Sequence, residues 1–281
     1  MTEQNYFKVN YENLPSLGTK YRRGSSIRFR VLNIRDLKFL AAINPENSRE
    51  MVNEILKRCL QLDKVKFEDL LEIDRLSLIF YLRTNTFQLS NGYRTEFKCP
   101  YCTNKVMRDI KLPEIAVRNI ENIDLRKEIV SGKVISGVHK KIVDPFYKTG
   151  ERDLDVIMNF TDCADIFDLS DPRELLDFPA DEYAKLLSIA ESARCGVMGY
   201  VDIACPNCGR TLRVGVDLDD ATLFNRVSMV QMVKNRVQVN KYCGCDISDD
   251  MPYNEVEIMI AYVNELIEKE AEAMKKKTGG K

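Results

Sequence analysis

The chain has 281 residues, of which 44% are hydrophobic, which is enough to build a buried core and excludes a disordered polypeptide. Its 42 Lys and Arg are balanced by 43 Asp and Glu, so a net charge of −1 gives no overall field that would attract nucleic acid or an anionic membrane. The sequence has no run of about 18 apolar residues and no signal-peptide pattern, so we expect a soluble cytoplasmic protein.

The N-terminal segment, residues 1–33, is expected to form an extended arm that ends in a short strand. Its first part is rich in turn residues, and the run from Ile27 to Val31 alternates between apolar and charged side chains. Residues 1–24 are therefore a candidate docking segment, since exposed extended segments commonly bind other proteins. The alternative is a loose terminus without a partner.

Apolar residues at helical spacing predict the helices of the chain. The expected helices span about residues 34–43, 47–60, 67–85, 114–131, 180–195, 219–235 and 254–275. Asn47 is the expected N-cap of the second helix, with a capping-box glutamate three residues later, and Gly196 is the expected stop of the fifth. The third helix is apolar on nearly all sides, which places it in an N-terminal core. Its polar residues Asp74, Arg75 and Arg83 are expected to fix the position of the helix, because no base or nucleophile accompanies them.

These elements predict an α+β protein that is mainly helical, with two β-hairpins forming a zinc-ribbon-like element and a helical insertion between them. The expected divisions are an arm and short strand (1–33), a helical N-terminal domain (34–90), a first zinc-knuckle hairpin (91–112), a mostly helical insertion (113–196), a second zinc-knuckle hairpin (197–218), and C-terminal helices with a Cys-x-Cys turn (219–281). The final helix is a second candidate for partner contacts.

Nine cysteines and a single histidine, His139, point to thiolate chemistry. In a cytosolic chain, clustered cysteines are more often metal ligands than disulfides, because thiols there are kept reduced. One histidine leaves few ways to build a catalytic triad or a histidine-rich metal site. Cys59, Cys163 and Cys195 stand apart from the other cysteines and are expected to be structural.

Two Cys-Pro-x-Cys motifs, Cys99 to Cys102 and Cys205 to Cys208, are each flanked by strand-forming residues. Two residues between the thiolates let both sulfurs face one tetrahedral ion from a tight turn, and Gly209 suits a left-handed exit from the second turn. We predict that the two hairpins share one structural zinc ion. The 102 residues between the motifs do not forbid this, because the cost of loop closure grows only logarithmically with length. Four thiolates would leave no coordination position for a catalytic water.

Three other interpretations of these cysteines stay open. Cys243 and Cys245 could complete a site with Cys205 and Cys208, or belong to another site. A redox role is less favoured, since a thioredoxin-like motif opens a helix after a strand, whereas both motifs here are expected at hairpin turns. The third interpretation is that the four motif cysteines are core residues without a metal.

The order of several short motifs resembles the T-even-like bacteriophage baseplate protein family, whose members are linked to the tail hub and its assembly. The motifs are Leu-Pro-Ser-x-Gly-x-x-Tyr over residues 14–21, the strand and helix over 27–42, and Asp-Arg-x-x-Leu-x-x-x-x-Arg over 74–83, leading into the first Cys-Pro-x-Cys. The resemblance spans roughly residues 13–225, so Cys243, Cys245 and the charged final helix lie outside it. It implies a non-enzymatic component or assembly factor of a contractile tail, with the zinc ribbon as a structural staple. The implied partners are other tail and baseplate hub proteins, and the implied location is the host cytoplasm during assembly or the tail baseplate of the virion.

Two other functions follow from the residues themselves. A zinc-ribbon nucleic-acid-binding or transcription accessory protein is the main alternative, because Arg210, Arg213, Arg226 and Arg236 lie near the second motif. A metalloenzyme would need an open coordination position. The sequence has no GxGxxG, GKS/T, GxSxG or HExxH motif, so neither an enzyme class nor a small-molecule substrate is indicated. The near-zero net charge favours a protein partner over nucleic acid.

Overall fold

A computed structural model describes residues 6–89, 93–224 and 228–278 of the chain. The α+β class is confirmed, with helices predominating over small antiparallel sheets. In chain order the helices and strands are β1 (Phe7–Lys8), β2 (Ser26–Phe29), α1 (Ile34–Leu40), α2 (Ser48–Cys59), β3 (Leu60–Asp63), α3 (Glu72–Thr86), β4 (Tyr93–Lys98), β5 (Lys105–Ile110), β6 (Val117–Arg118), β7 (Lys127–Val130), β8 (Lys133–Ser136), α4 (Arg152–Phe160), α5 (Cys163–Phe167), α6 (Ala180–Ala193), β9 (Gly196–Val197), β10 (Tyr200–Ala204), β11 (Thr211–Gly215), α7 (Asp220–Phe224), α8 (Met229–Cys243) and α9 (Tyr253–Thr278).

The N-terminal core is built from the β1-β2-β3 sheet and helices α1 to α3. Strand β2 is central and pairs antiparallel with both neighbours, and its Ile27 and Phe29 are buried against the helices. Helix α3 lies in this core, as its nearly uniform apolar surface predicts. Asn47 precedes α2 but makes no capping bond; its side chain accepts a hydrogen bond from the backbone of Asn44 instead.

The N-terminal segment is not the exposed arm that its turn residues suggest. Val9, Leu14 and Ser16 are fully buried, and Tyr21 is almost so. The segment is held to α3 by Asp74, which accepts hydrogen bonds from the backbone and hydroxyl of Ser16 (2.8 and 2.5 Å) and from the hydroxyl of Tyr21 (2.6 Å). These four buried residues attach the segment to the core, so the expectation of an extended docking arm is wrong over residues 9–21.

The other polar residues of α3 hold the C-terminal part of the chain in place. Arg75 makes a buried bidentate salt bridge with Asp220 of α7, with nitrogen to oxygen distances of 3.0 and 2.6 Å. Arg83 donates a hydrogen bond to the carbonyl of Leu223. Both arginines thus have the structural role expected from the sequence.

The insertion between the hairpins contains more strand than predicted. The expected helix over 114–131 is wrong: β6 pairs with β9, and β7 turns back into β8 through Ser131 and Gly132. Both turn residues have positive φ angles (46° and 75°), the conformation of a two-residue type I′ hairpin. The Ser-Gly pair and the Ile- and Val-rich run before it are strand signals that helical spacing obscured.

Helix α6 confirms the predicted helix over 180–195, although it ends at Ala193. Gly196 lies in β9 with φ +107°, and a Cβ atom there would come within 3.2 Å of the Ile73 carbonyl on α3. The glycine therefore permits close packing of strand on helix. Helices α4 and α5, which the sequence pattern did not reveal, pack with α6 and the β7-β8 hairpin around a separate apolar cluster that includes Leu154, Ile157 and Ile189.

The C-terminal part differs from its prediction at its start. The single helix expected over 219–235 is divided into α7, ending at Phe224, and α8, which begins after Ser228. The Ser228 hydroxyl caps α8 by accepting from a backbone N–H of its first turn. The last predicted helix is confirmed as α9, which packs against α8 through Val239 and Val263 among others.

Candidate metal centre

The two Cys-Pro-x-Cys motifs lie at the turns of two matching hairpins, as predicted. In the first hairpin Lys98 of β4 pairs with Lys105 of β5, and in the second Ala204 of β10 pairs with Thr211 of β11. Each pair closes a turn of six residues that starts with the first cysteine of its motif. The two turns are therefore equivalent position by position.

Backbone hydrogen bonds repeat in both turns. The N–H of Cys99 donates to the carbonyl of Asn104 at 2.9 Å, and the N–H of Cys205 donates to that of Arg210 at the same distance. The residue after each second cysteine has a positive φ angle, +58° for Thr103 and +72° for Gly209. Gly209 thus has the left-handed conformation expected of it. In the first turn a β-branched residue takes this strained conformation.

The fold brings the four motif cysteines together. Their Sγ atoms all lie within 4.8 Å of one another, with 3.9 Å between Cys99 and Cys208 and 3.7 Å between Cys102 and Cys205. Four sulfurs about 2.3 Å from a tetrahedral zinc ion would be about 3.8 Å apart, whereas a disulfide bond would need about 2.05 Å. The four residues are free thiols whose spacing fits a tetrahedral metal ion.

Electrostatics within the cluster also fit a cation. The pKa of the Cys102 thiol is lowered to about 6, because the Asn207 side chain and the Asn104 backbone donate hydrogen bonds to its sulfur. The pKa of Cys208 is raised to about 11: the Arg210 backbone N–H favours the thiolate, but desolvation and the neighbouring sulfurs outweigh it. Several thiolates this close repel one another. A divalent cation would remove that repulsion and allow all four to ionise.

The sulfurs stand at one end of an apolar layer between the hairpins. Cys99 and Cys205 are buried, and Val106 and Leu212 pack beside them. Farther from the turns, Ile110, Val201 and Ile203 extend this contact. Cys102 is half-buried and Cys208 is exposed, so one edge of the centre faces solvent.

Three residues outside the cysteine pattern support the centre across the two hairpins. The Arg210 guanidinium lies 4.6 Å from the centre of the Tyr101 ring, and the Asn207 side chain hydrogen-bonds to Cys102. Sequence reasoning did not single out Tyr101 or Asn207 as supports. They occupy equivalent positions between the two cysteines of their motifs, which is the signal that could have found them.

The remaining cysteines lie elsewhere. Cys59, Cys163 and Cys195 are buried, and burial raises the pKa of both Cys59 and Cys195 to about 12, as expected of structural thiols. Cys243, at the end of α8, is exposed, and Cys245 packs in the cluster of α8 and α9. Neither belongs to the sulfur cluster in the described residues.

Two of the four arginines near the second motif are paired with carboxylates in the described residues. Arg213 pairs with Asp202 on the neighbouring strand, at 3.0 and 3.2 Å, and Arg236 pairs with Asp246 at 2.9 Å. Arg226 lies outside the described residues. Two of the four arginines that support the nucleic-acid interpretation are thus paired with carboxylates of the protein itself.

Comparison with family models decides which family this chain represents. The model of the T4 bacteriophage base plate protein family matches residues 6–169, more than half of the chain. The chain belongs to this family. The finding confirms the resemblance and extends it to residue 6, although the match ends at 169 and so includes Cys99 and Cys102 but not Cys205 and Cys208. Comparisons with curated proteins and with solved structures find no match.

Membership in a base plate family implies that the partners of this baseplate protein are other phage baseplate proteins. None of the helices in the described parts of the chain is both long and apolar enough to cross a bilayer.

Proposed function

We propose that this baseplate protein is a non-enzymatic structural or assembly component, with a chaperone-like role, of the hub of a contractile tail baseplate. The family match over residues 6–169 is the observation that carries this proposal. In this proposal the protein acts in the host cytoplasm during assembly, and it contacts other hub proteins there or in the tail baseplate.

We further propose that Cys99, Cys102, Cys205 and Cys208 bind one structural zinc ion. The distances between the Sγ atoms support this, because they are close to the distance between two sulfur ligands of a tetrahedral zinc ion. Such an ion would have a closed coordination sphere, so it would stabilise the fold and would not activate water. The ion would join two hairpins whose motifs are separated by about one third of the sequence. It would thereby hold both ends of the insertion between them.

The zinc proposal is tested by metal analysis of the purified full chain. We expect about one zinc ion per chain, and a cobalt-substituted sample should have the absorption spectrum of a closed, tetrahedral, sulfur-rich site. A chain that folds without any bound metal, or a cobalt spectrum typical of an open coordination position, would contradict the proposal.

The assembly proposal is tested in the phage. Deletion of the coding sequence should abolish or misassemble tails, and co-expression with the other baseplate proteins should give a stable complex of defined composition. Normal tails after deletion, together with no co-purifying baseplate protein, would refute it.

A further inference from the structure

Helix α8 exposes an apolar face that nothing in the described chain covers. Val230, Val233 and Val237 are 65%, 58% and 63% exposed, while Val239 is the residue of this helix that is fully buried against its neighbours. Exposed valines scattered singly need no explanation, but three on one face of one helix form a contiguous patch. Helical spacing puts Val230 and Val233 on the apolar face of the helix expected over 219–235, and their exposure therefore requires another reason.

The spacing of these valines is that of a coiled-coil seam. Val230, Val233 and Val237 occupy successive a, d and a positions of a heptad, and the exposed Asn240 takes the next d position. One edge of the seam continues into an apolar groove of about 200 Å³, whose walls include Met232, Val233, Val256 and Ile260. The face is thus shaped for a second helix with an apolar stripe of its own.

The charges beside the seam define the chemistry of that second helix. The sequence from Ser228 to Cys243 contains no Asp or Glu. Lys234 and Lys241 occupy both e positions next to the seam, and neither forms a salt bridge within the described residues. Arg236, at a g position, pairs with Asp246. A partner with carboxylates at its flanking positions would pair with the two lysines.

A second copy of α8 fits this face poorly. In a parallel pair the g position of one helix meets the following e position of the other, so Lys241 would face Arg236, which already pairs with Asp246. Since α8 has no Asp or Glu, neither lysine would meet a carboxylate of the second α8. In an antiparallel pair e positions meet e positions, so lysine would face lysine. Like charges therefore oppose the antiparallel pair, and the parallel pair offers the two lysines no partner.

We propose that α8 is the docking site for an amphipathic helix of another protein, which carries apolar a and d residues and Glu or Asp on the side that meets Lys234 and Lys241. This inference rests on the proposed function only in taking the partner to be another baseplate protein. The inference that this surface binds an acidic amphipathic helix depends only on the exposed valines and the lysines of α8.

Binding can be measured by fluorescence anisotropy with the full chain and two labelled synthetic helices of about three heptads. Both carry the same leucine seam; one has Glu and the other Lys at all e and g positions. We expect the Glu helix to bind about tenfold more tightly than the Lys helix. Val233→Asp should weaken binding of the Glu helix about tenfold or more. The matched control is Val143→Asp, which changes another exposed valine (53%) outside α8 and should leave binding unchanged.

Charge reversal provides the second variant. Lys234→Glu combined with Lys241→Glu should invert the preference in favour of the Lys helix, and circular dichroism should show an unchanged fold. Equal binding of both helices, no binding of either, or an unchanged affinity in Val233→Asp would overturn the proposal. So would sedimentation showing a dimer of the wild-type chain that Val233→Asp dissociates, because a second copy would then occupy the face. These measurements use the isolated protein, so they are independent of whether deletion affects tails.

Discussion

Cys205→Ser removes one sulfur from the proposed zinc centre and replaces it with a weak ligand for zinc. Serine is nearly isosteric with cysteine, so the packing around this buried position changes little. The centre loses one of its four sulfur ligands. Since metal binding in such a site is coupled to folding, we expect zinc content and stability to fall together.

The magnitude follows from the length of chain that the ion closes. The segment between Cys102 and Cys205 has 102 residues, and a cross-link over a loop of about 100 residues contributes about 4.7 kcal/mol in the chain-entropy model. At about 2–4 °C per kcal/mol for a chain of this size, the melting temperature should fall by about 10–20 °C. The N-terminal core has its own apolar cluster, so most helical signal should persist at low temperature.

The assay combines metal analysis of the purified variant with thermal unfolding in the presence and absence of a chelator. Cys243→Ser is the matched control, because Cys243 is exposed and lies outside the sulfur cluster. It should retain about one zinc ion per chain and the wild-type melting temperature. Full zinc content and unchanged melting in Cys205→Ser, or loss of zinc in Cys243→Ser, would refute the ligand assignment.

Three further predictions concern stability and are checked by chemical denaturation. Thr103→Gly should stabilise the first turn and Gly209→Ala should destabilise the second, each by about 1 kcal/mol, because both positions have positive φ and no neighbouring atom crowds a Cβ at Gly209. Arg75→Ala should cost about 3–5 kcal/mol, since it leaves the Asp220 carboxylate buried without its partner. Burial raises the pKa of Asp74 above its ordinary value, so its protonation favours the folded state. The stability of the wild type relative to Asp74→Asn should therefore be greatest below the unfolded pKa and should decrease as the pH rises through the folded pKa.

Controls and contrary outcomes separate these effects from general sensitivity to mutation. Arg213→Ala breaks the exposed pair with Asp202 and should cost much less stability than Arg75→Ala, because water screens exposed ion pairs. An equal cost for the two variants would contradict the argument from burial. A destabilising Thr103→Gly would show that the hydroxyl or methyl group matters more than the backbone angle. A stability difference between wild type and Asp74→Asn that stays constant between pH 4 and 7 would remove Asp74 as the titrating group.

The sequence alone was sufficient for the elements whose signals are local. Each Cys-Pro-x-Cys turn is specified by its own six residues, and Gly209 predicts the left-handed conformation that the structure has at the end of the second turn. The helices α3, α6 and α9 have apolar faces long enough to identify. The family resemblance also depends on the order of local motifs and is confirmed over residues 6–169.

Only the tertiary structure decided features that depend on distant partners. The run before Val130 has mixed apolar spacing, and it became strand because β9 and β8 supply its hydrogen-bonding partners. Residues 9–21 contain turn residues typical of loops, yet Ser16 and Tyr21 are buried because they donate hydrogen bonds to Asp74, more than 50 positions away. In the same way, spacing put Val230 and Val233 on one apolar face but did not determine whether the chain itself covers that face. Burial is a property of what packs against a residue, and a linear sequence specifies that only through the whole fold.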